Sequence, residues 1–236
     1  QILICTPDQI KPLNPNILLL NLYSIVRKMN GISQYGKPEG EEGRRTIFSM
    51  NAHHRKLSEW ALSFIKDAKP AKILDIGCGG GMQMSLMRGM FPEADITGLD
   101  HSPEAVAAAS EANSDAVTSG KCRVMEGSVE GLPFRNGSFD LVTAFETYFF
   151  WPDLESSIAE ACRTVAPGGM ILIVSESYPS LLFRRTNEKN RRLYGVNVVG
   201  NESMRSMLEA AGMSVETRTR KLRNWVCFIG RKAPSS

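Results

Sequence analysis

The chemistry in this 236-residue chain is concentrated first in a glycine run, Leu74-Asp75-Ile76-Gly77-Cys78-Gly79-Gly80-Gly81. An apolar-leaning segment from Ala71 to Ile76 leads straight into it. Glycines at such a point let the backbone touch a ligand, and a helix starting behind them offers free amides. A dinucleotide site asks for G-x-G-x-x-G; Gly77 and Gly79 fit, but Met82 stands where the third glycine belongs. A nicotinamide cofactor is therefore disfavoured. Asp100 closes the next apolar segment, "ITGLD". A carboxylate there can accept hydrogen bonds from both hydroxyls of a ribose. The competing role, a helix cap, is better filled by Ser102.

Four further residues are candidates for moving a proton: Glu146 and Glu176, after the fourth and fifth strands, and, more weakly, Tyr194 and His54. His53 and His54 are adjacent, so one of them faces solvent. No third ligand sits at a recognisable spacing from them, so no metal site is expected. Five scattered cysteines without a C-x-x-C pair argue against a disulfide framework and for a reducing, cytoplasmic setting.

The elements that position these residues alternate. Helical periodicity runs from Met50 to Ile65 and stops at Pro70. Strands follow at Lys72 to Ile76, Asp95 to Leu99, Cys122 to Glu126, Phe139 to Ala144 and Met170 to Ser175, the last after a turn at Pro167-Gly168-Gly169. Helices lie between them at about 82–90, from Ser102 through Ala112 with Pro103 in first position, and at about 152–165. Residues 178–200 read as a long irregular insertion. Asn201 to Ala211 is helical, and Ser214 to Arg220 and Trp225 to Gly230 form an antiparallel pair. Short apolar strands separated by helices suit a parallel sheet covered on both faces.

Composition bounds the rest. A hydrophobic fraction of 42% and a charged fraction of 22% are those of an ordinary globular protein, and a net charge of +3 is too small to argue for nucleic acid. The apolar run Ile17 to Val26 is about half the ~20 residues a membrane span needs, so no stable membrane insertion is expected. Lys37 to Arg45 reads as a mobile loop, and residues 1–45 as a partly flexible leader before a domain at 46–236 with a lid-like insertion at 178–200. Met29 opens a glycine-rich leader and is a candidate natural start, with residues 1–28 foreign to the functional protein.

With these pieces in order, the chain resembles the class I S-adenosylmethionine-dependent methyltransferases, in particular the small-molecule group of the ubiquinone/menaquinone-biosynthesis type. The resemblance rests on "ILDIGCGGG", "GLDHSPEAV", "GSVEGLPFRNGSFDLV", "FFWPDLESSIAEACRTVAPGGMILI" and "NESMRSMLEAAGM". It is close from Ala71 to Val174 and loose elsewhere. It implies a Rossmann-like, doubly wound, seven-stranded α/β sheet, mostly parallel with one antiparallel strand and helices on both faces. It implies S-adenosylmethionine as cofactor and S-adenosylhomocysteine as product. The cofactor-binding positions carried over are Asp75, Gly77, Cys78, Gly79, Gly81, Asp100, His101, Ser102, Ser128, Val129 and Phe145. Asp75 would approach the methionine amino group, Gly77 to Gly79 would pass under the methionine and ribose, Asp100 would hold the ribose and His101 would lie near the adenine. Ser128 stands where the family usually has an acidic residue for the adenine amino group, and Glu130 is a substitute two positions on. The family's histidines before Trp-Pro-Asp are replaced by Tyr148, Phe149 and Phe150, which are either pocket lining or core.

The expected activity is methyl transfer to a small-molecule acceptor by in-line displacement, where positioning contributes most and a base is needed only if the acceptor carries a firmly held proton. The acceptor pocket would be roofed by the segment Tyr35 to Trp60 and by the insertion. The insertion carries Arg184, Arg185, Lys189, Arg191 and Arg192, either a solvated surface or a contact for an anionic group. A non-catalytic S-adenosylmethionine-binding or regulatory subunit is the alternative. No nucleic-acid partner is expected, since the Asn/Asp-Pro-Pro-Tyr/Phe signature of RNA-base enzymes is missing from "FETYFF"; a homodimer is compatible with the sequence.

Overall fold

The computed structural model describes residues 34–235. The expectations about residues 1–28 and the apolar run at 17–26 lie outside the described residues.

The first element among the described residues is helix α1 (Gly40–Leu62), extended by a 3-10 turn to Ile65. It starts inside the segment expected to be a mobile loop. Three contacts order that start: the Gly40 N–H donates to Glu104 Oε1 at 2.9 Å, Arg44 pairs with Glu111, and Arg45 pairs with Glu41. Two of these partners belong to a helix more than sixty residues away, so no local pattern reveals them.

The sheet follows: β1 (Lys72–Ile76), β2 (Asp95–Asp100), β3 (Cys122–Glu126), β4 (Phe139–Phe145), β5 (Val165–Ser175), β6 (Met213–Arg220) and β7 (Trp225–Lys232). Their spatial order is β3-β2-β1-β4-β5-β7-β6. All pairings are parallel except β5 with β7 and β6 with β7. This is the doubly wound sheet with one reversed strand, β7, that the sequence implies. β5 runs through Pro167-Gly168-Gly169 instead of starting after it; Gly168, at φ 77°, absorbs the bend without a side chain to clash.

Helices α2 (Met82–Met90), α3 (Pro103–Ala112), α4 (Ser114–Thr118), α5 (Leu154–Thr164), α6 (Arg184–Tyr194) and α7 (Asn201–Ala210) complete the fold. Alternate residues of the central strands enter two cores. Leu74, Val142 and Ile173 pack with Ile158 of α5 and Leu208 of α7; Ile73, Leu141 and Leu172 pack with Leu57 of α1 and Met87 of α2. Burial on both faces explains why these strands are apolar at consecutive positions. Ser102 caps α3 as expected, its hydroxyl accepting the Ala105 N–H at 3.2 Å.

α6 lies in the insertion read as irregular. Its sequence, RRTNEKNRRLY, has no apolar stripe, because its anchored face is polar. Asn187 donates to the Tyr178 carbonyl at 2.8 Å and accepts from Asn224 Nδ2 at 2.8 Å. Among the described residues no helix is long and apolar enough to cross a membrane.

Candidate active site

The strand order reverses between β1 and β4, and the ends of these strands open a crevice where doubly wound sheets bind ligands. The glycine run forms its floor. The N–H groups of Gly77 and Cys78 both donate to the Leu99 carbonyl, at 2.7 and 3.1 Å, and the Gly79 N–H donates to Asp100 Oδ2 at 2.9 Å. Asp100 Oδ1 accepts the Ser102 N–H at 3.0 Å. One carboxylate thus fixes both the glycine loop and the start of α3.

The glycines have distinct reasons. A Cβ on Gly77 would collide with Thr147, and φ is 70°. Gly79, at φ 52°, has nothing within 4 Å of where a Cβ would stand, so the space beside it is open. The result is a cleft of about 340 Å³.

Of the positions implied by the resemblance, Gly77, Cys78, Gly79, Asp100, His101, Ser128, Val129 and Phe145 line this cleft. Asp75, Gly81 and Ser102 do not. Gly81 is the left-handed cap of α2, closed off by Asn113 and Ala109. Ser102 is wholly buried and donates to the Pro38 carbonyl at 2.6 Å. Asp75 stands behind the loop, where its Oδ1 accepts from Thr143 at 2.7 Å while Oδ2 has no partner. Burial pushes its carboxyl up to about 7. Burial also raises the Cys78 thiol far above its usual range, so this lining cysteine is no nucleophile. Ser128 Oγ accepts the Glu130 N–H and donates to Glu130 Oε2, both at 3.2 Å, so the two candidates for an adenine contact form one unit. Sequence reasoning missed Asn51, Gln83 and Thr147, which also line the cleft. Only Asn51 and Gln83 had a visible signal, as polar residues on otherwise inward-facing helical positions.

A second cavity of about 510 Å³ adjoins the first. Tyr35, Met50, His54, Glu146 and Phe150 line both. All four candidates for proton transfer, Glu146, Glu176, Tyr194 and His54, line this second space. Its wall also carries Phe149, Phe150 and Phe183, with Tyr35 and Tyr194 packed at 4.5 Å between ring centroids, beside polar residues that include Ser49, Thr186, Asn190 and Arg223. Phe149 and Phe150 are therefore lining as well as core, whereas Tyr148 is fully buried.

Glu176 sits between two histidines. His53 Nε2 is 3.1 Å from Oε2 and His54 Nε2 is 3.7 Å from Oε1. As expected for neighbours on a helix, one is exposed (His53, 66%) and one is not (His54, 15%). A third group, invisible in the sequence spacing, joins the histidines: the end of β5 places the Glu176 carboxylate beside them from more than a hundred residues away, and these groups lie within 4.8 Å of one another. Both carboxylate oxygens are engaged as in an ion pair. Burial disfavours the His54 imidazolium, but its contact with Glu176 and the fields of Glu146 and Glu176 raise its pKa. Burial works against the Glu176 charge too, yet His54 and His53 hold its pKa down. The Glu146 carboxylate accepts the Glu176 N–H, and burial pushes its pKa up to about 7, with Glu176 adding to the rise and His54 opposing it. Glu146 is also held at φ 56°, a conformation rare outside glycine and asparagine and one that clusters at functional sites.

A family model described as "Methyltransferase domain" matches residues 74–173, which span β1 through β5 and carry the whole glycine loop. With the relatives and solved structures that follow, this match supports a class I S-adenosylmethionine-dependent methyltransferase. It is similar to the demethylmenaquinone methyltransferase of Thermus thermophilus, with 27% identity over 66% of this chain and 80% of the relative. Another such enzyme, from Staphylococcus aureus, is 26% identical over 72% and 80%. Among solved structures, the complex between the Haloferax volcanii Trm112 methyltransferase activator and the putative methyltransferase aligns at TM-score 0.70 and 20% identity, over 80% of this chain and 94% of that one. Geranyl diphosphate C-methyltransferase from Streptomyces coelicolor aligns at 0.66 and 13%, over 84% and 86%. These structures share the fold.

S-adenosylmethionine is the cofactor of this methyltransferase. The cleft fits it, since the open side of Gly79 admits a ligand against the backbone.

Proposed function

We propose that this methyltransferase acts on a small-molecule acceptor whose nucleophilic atom carries an ionisable proton, with Glu146 as the proton acceptor. The observation that carries the proposal is the shared wall: His54 and Glu146 line both cavities, so they stand where a methyl donor in one would meet an acceptor in the other.

S-adenosylmethionine supplies an electrophilic methyl group on a sulfonium, with a neutral thioether as leaving group. The backbone of Gly77, Cys78 and Gly79 would hold its methionine and ribose, Asp100 the ribose hydroxyls, and Ser128 with Glu130 the adenine edge. His101, Val129 and Phe145 would complete the lining. The aromatic cavity would orient the acceptor, which matters most in a displacement that only needs its partners in line. Its size and aromatic wall suit a planar ring better than an extended polymer. The proton leaves the acceptor for a Glu146 oxygen as its bond to the methyl forms. A carboxyl near 7 is suited to that task, because about half of it is ionised at neutral pH and that form is still basic. The His54–Glu176 pair positions Glu146 through the Glu176 N–H, and Tyr194 closes the cavity over the acceptor. The acceptors named for the Thermus and Staphylococcus relatives, demethylmenaquinones, agree with this class.

The test is a screen of phenols, naphthols, enols and amines that follows S-adenosylhomocysteine formation. Turnover that Glu146→Gln reduces at least a hundredfold, and that a metal chelator leaves unchanged, supports the proposal. Turnover on a protein or RNA alone, or an unaffected Glu146→Gln enzyme, contradicts it.

A further inference from the structure

The roof of the second cavity has an outer face that this reading does not use. α6 turns Phe183, Thr186, Asn190 and Tyr194 towards the cavity. Its other side carries Arg184, Arg185, Lys189, Arg191 and Arg192 beside a groove of about 1040 Å³. Between Tyr178 and Asn224 there are ten Lys and Arg against four Glu, a larger positive excess than the +3 of the whole chain. Only Arg191 and Arg192 on this helix are paired, both with Glu188; among the described residues Arg184, Arg185 and Lys189 have no carboxylate partner.

The apolar side chains are as unevenly placed as the charges. Of seven exposed large apolar residues among those described, four lie here: Leu181 (95%), Leu182 (68%), Leu193 (51%) and Leu222 (84%). Leu181 and Leu182 precede Arg184 and Arg185, and Leu222 stands between Lys221 and Arg223 at the tip of the β6–β7 hairpin. The hydrogen bond between Asn187 and Asn224 joins these two segments, and both Phe183 and Arg223 line the same cavity. Two leucine prongs, each close to cations in sequence, thus stand next to residues that line one cavity.

We propose that this face is a docking surface for a bilayer rich in anionic lipid. Leucines would enter the boundary between headgroups and acyl chains while the flanking cations meet lipid phosphates, the two attractions that interfacial segments combine. Charge complementarity decides the occupant. A second copy of this chain would set like charge against like charge across a two-fold axis. Nucleic acid would satisfy the cations but leave the leucines in water, and among the described residues the groove on the outer face is lined by no aromatic ring for base stacking. Docking there would set the roof of the acceptor cavity against the lipid surface.

The test is co-sedimentation of the full chain with phosphatidylcholine vesicles, with and without phosphatidylglycerol. The expected result is binding that requires the anionic lipid and weakens steeply with salt. It should fall more than tenfold in Arg184→Ser/Arg185→Ser/Lys189→Ser and likewise in Leu181→Ser/Leu182→Ser/Leu222→Ser. These side chains are exposed, so both variants should keep the melting temperature of the parent. No binding, binding indifferent to the leucines, or a leucine variant that only converts a dimer to a monomer would overturn the proposal. RNA that binds the parent and the leucine variant equally, and displaces the vesicles, would assign the surface to nucleic acid instead.

Discussion

The Glu146 carboxylate accepts the backbone N–H of Glu176, linking the carboxyl ends of β4 and β5 across the two cavities. This contact holds a carboxyl whose pKa burial has raised from 4.5 to about 7. Folded protein therefore keeps a proton that the unfolded chain has released. Glu146 costs stability progressively as pH rises from about 4.5 through 7 and costs most above that. Glu146→Gln keeps the shape and an acceptor oxygen. It should unfold about 1–3 kcal/mol later than the parent at pH 8, a difference that closes as pH falls to 4.5. Urea titrations across this range measure it. In catalysis the ionised form is the base, so kcat/KM on an acceptor should rise with pH and level off above about 7. The Gln variant should lose this inflection together with roughly 100- to 10,000-fold in rate.

His54 and Glu176 shift in opposite directions. The raised His54 pKa contributes stability that is full below its ordinary value of 6.5 and is lost as pH rises through the folded value. The lowered Glu176 pKa contributes stability that is present above 4.5 and is lost as pH falls through the folded value. Both contributions are complete between about 4.5 and 6.5. His54→Ala should cost about 1–2 kcal/mol in that window, since both side chains keep some contact with water. The loss should shrink on either side of it. A cost that does not vary with pH would mean that His54 contributes packing alone.

Gly77 and Gly79 separate fold from ligand. Alanine at 77 would meet Thr147 and hold φ 70°, so Gly77→Ala should destabilise the protein by about 2–4 kcal/mol. Alanine at 79 meets only open space at φ 52° and should cost about 1–2 kcal/mol. Its methyl group would project into the cleft, so cofactor affinity should fall further than stability does. Thermal melts and cofactor titrations of the two variants give both quantities.

Legibility from sequence followed the range of the interactions. The strands and most helices were readable because their causes are local: apolar runs, Ser102 as a cap, Pro103 behind it. The glycine loop and Asp100 were readable because their spacing is short. α6 was not, since its anchors are Asn187 hydrogen bonds to a carbonyl and to a hairpin rather than an apolar stripe. The start of α1 depends on Glu104 and Glu111. The pairing of His53 and His54 with Glu176 joins a helix and a strand end far apart in the chain, and the strain at Glu146 leaves no compositional trace.

The most direct measurement is calorimetric titration with S-adenosylhomocysteine of the parent protein, Asp100→Ala and Asp100→Asn. Asp100 holds the Gly79 N–H and lines the cleft, so it is both a brace for the loop and the proposed ribose acceptor. Micromolar-range binding by the parent is expected, with loss of at least a hundredfold in Asp100→Ala and a smaller loss in Asp100→Asn, whose single carbonyl oxygen keeps one of the two acceptors. Equal affinity in all three proteins would contradict the assignment of this cleft to the cofactor.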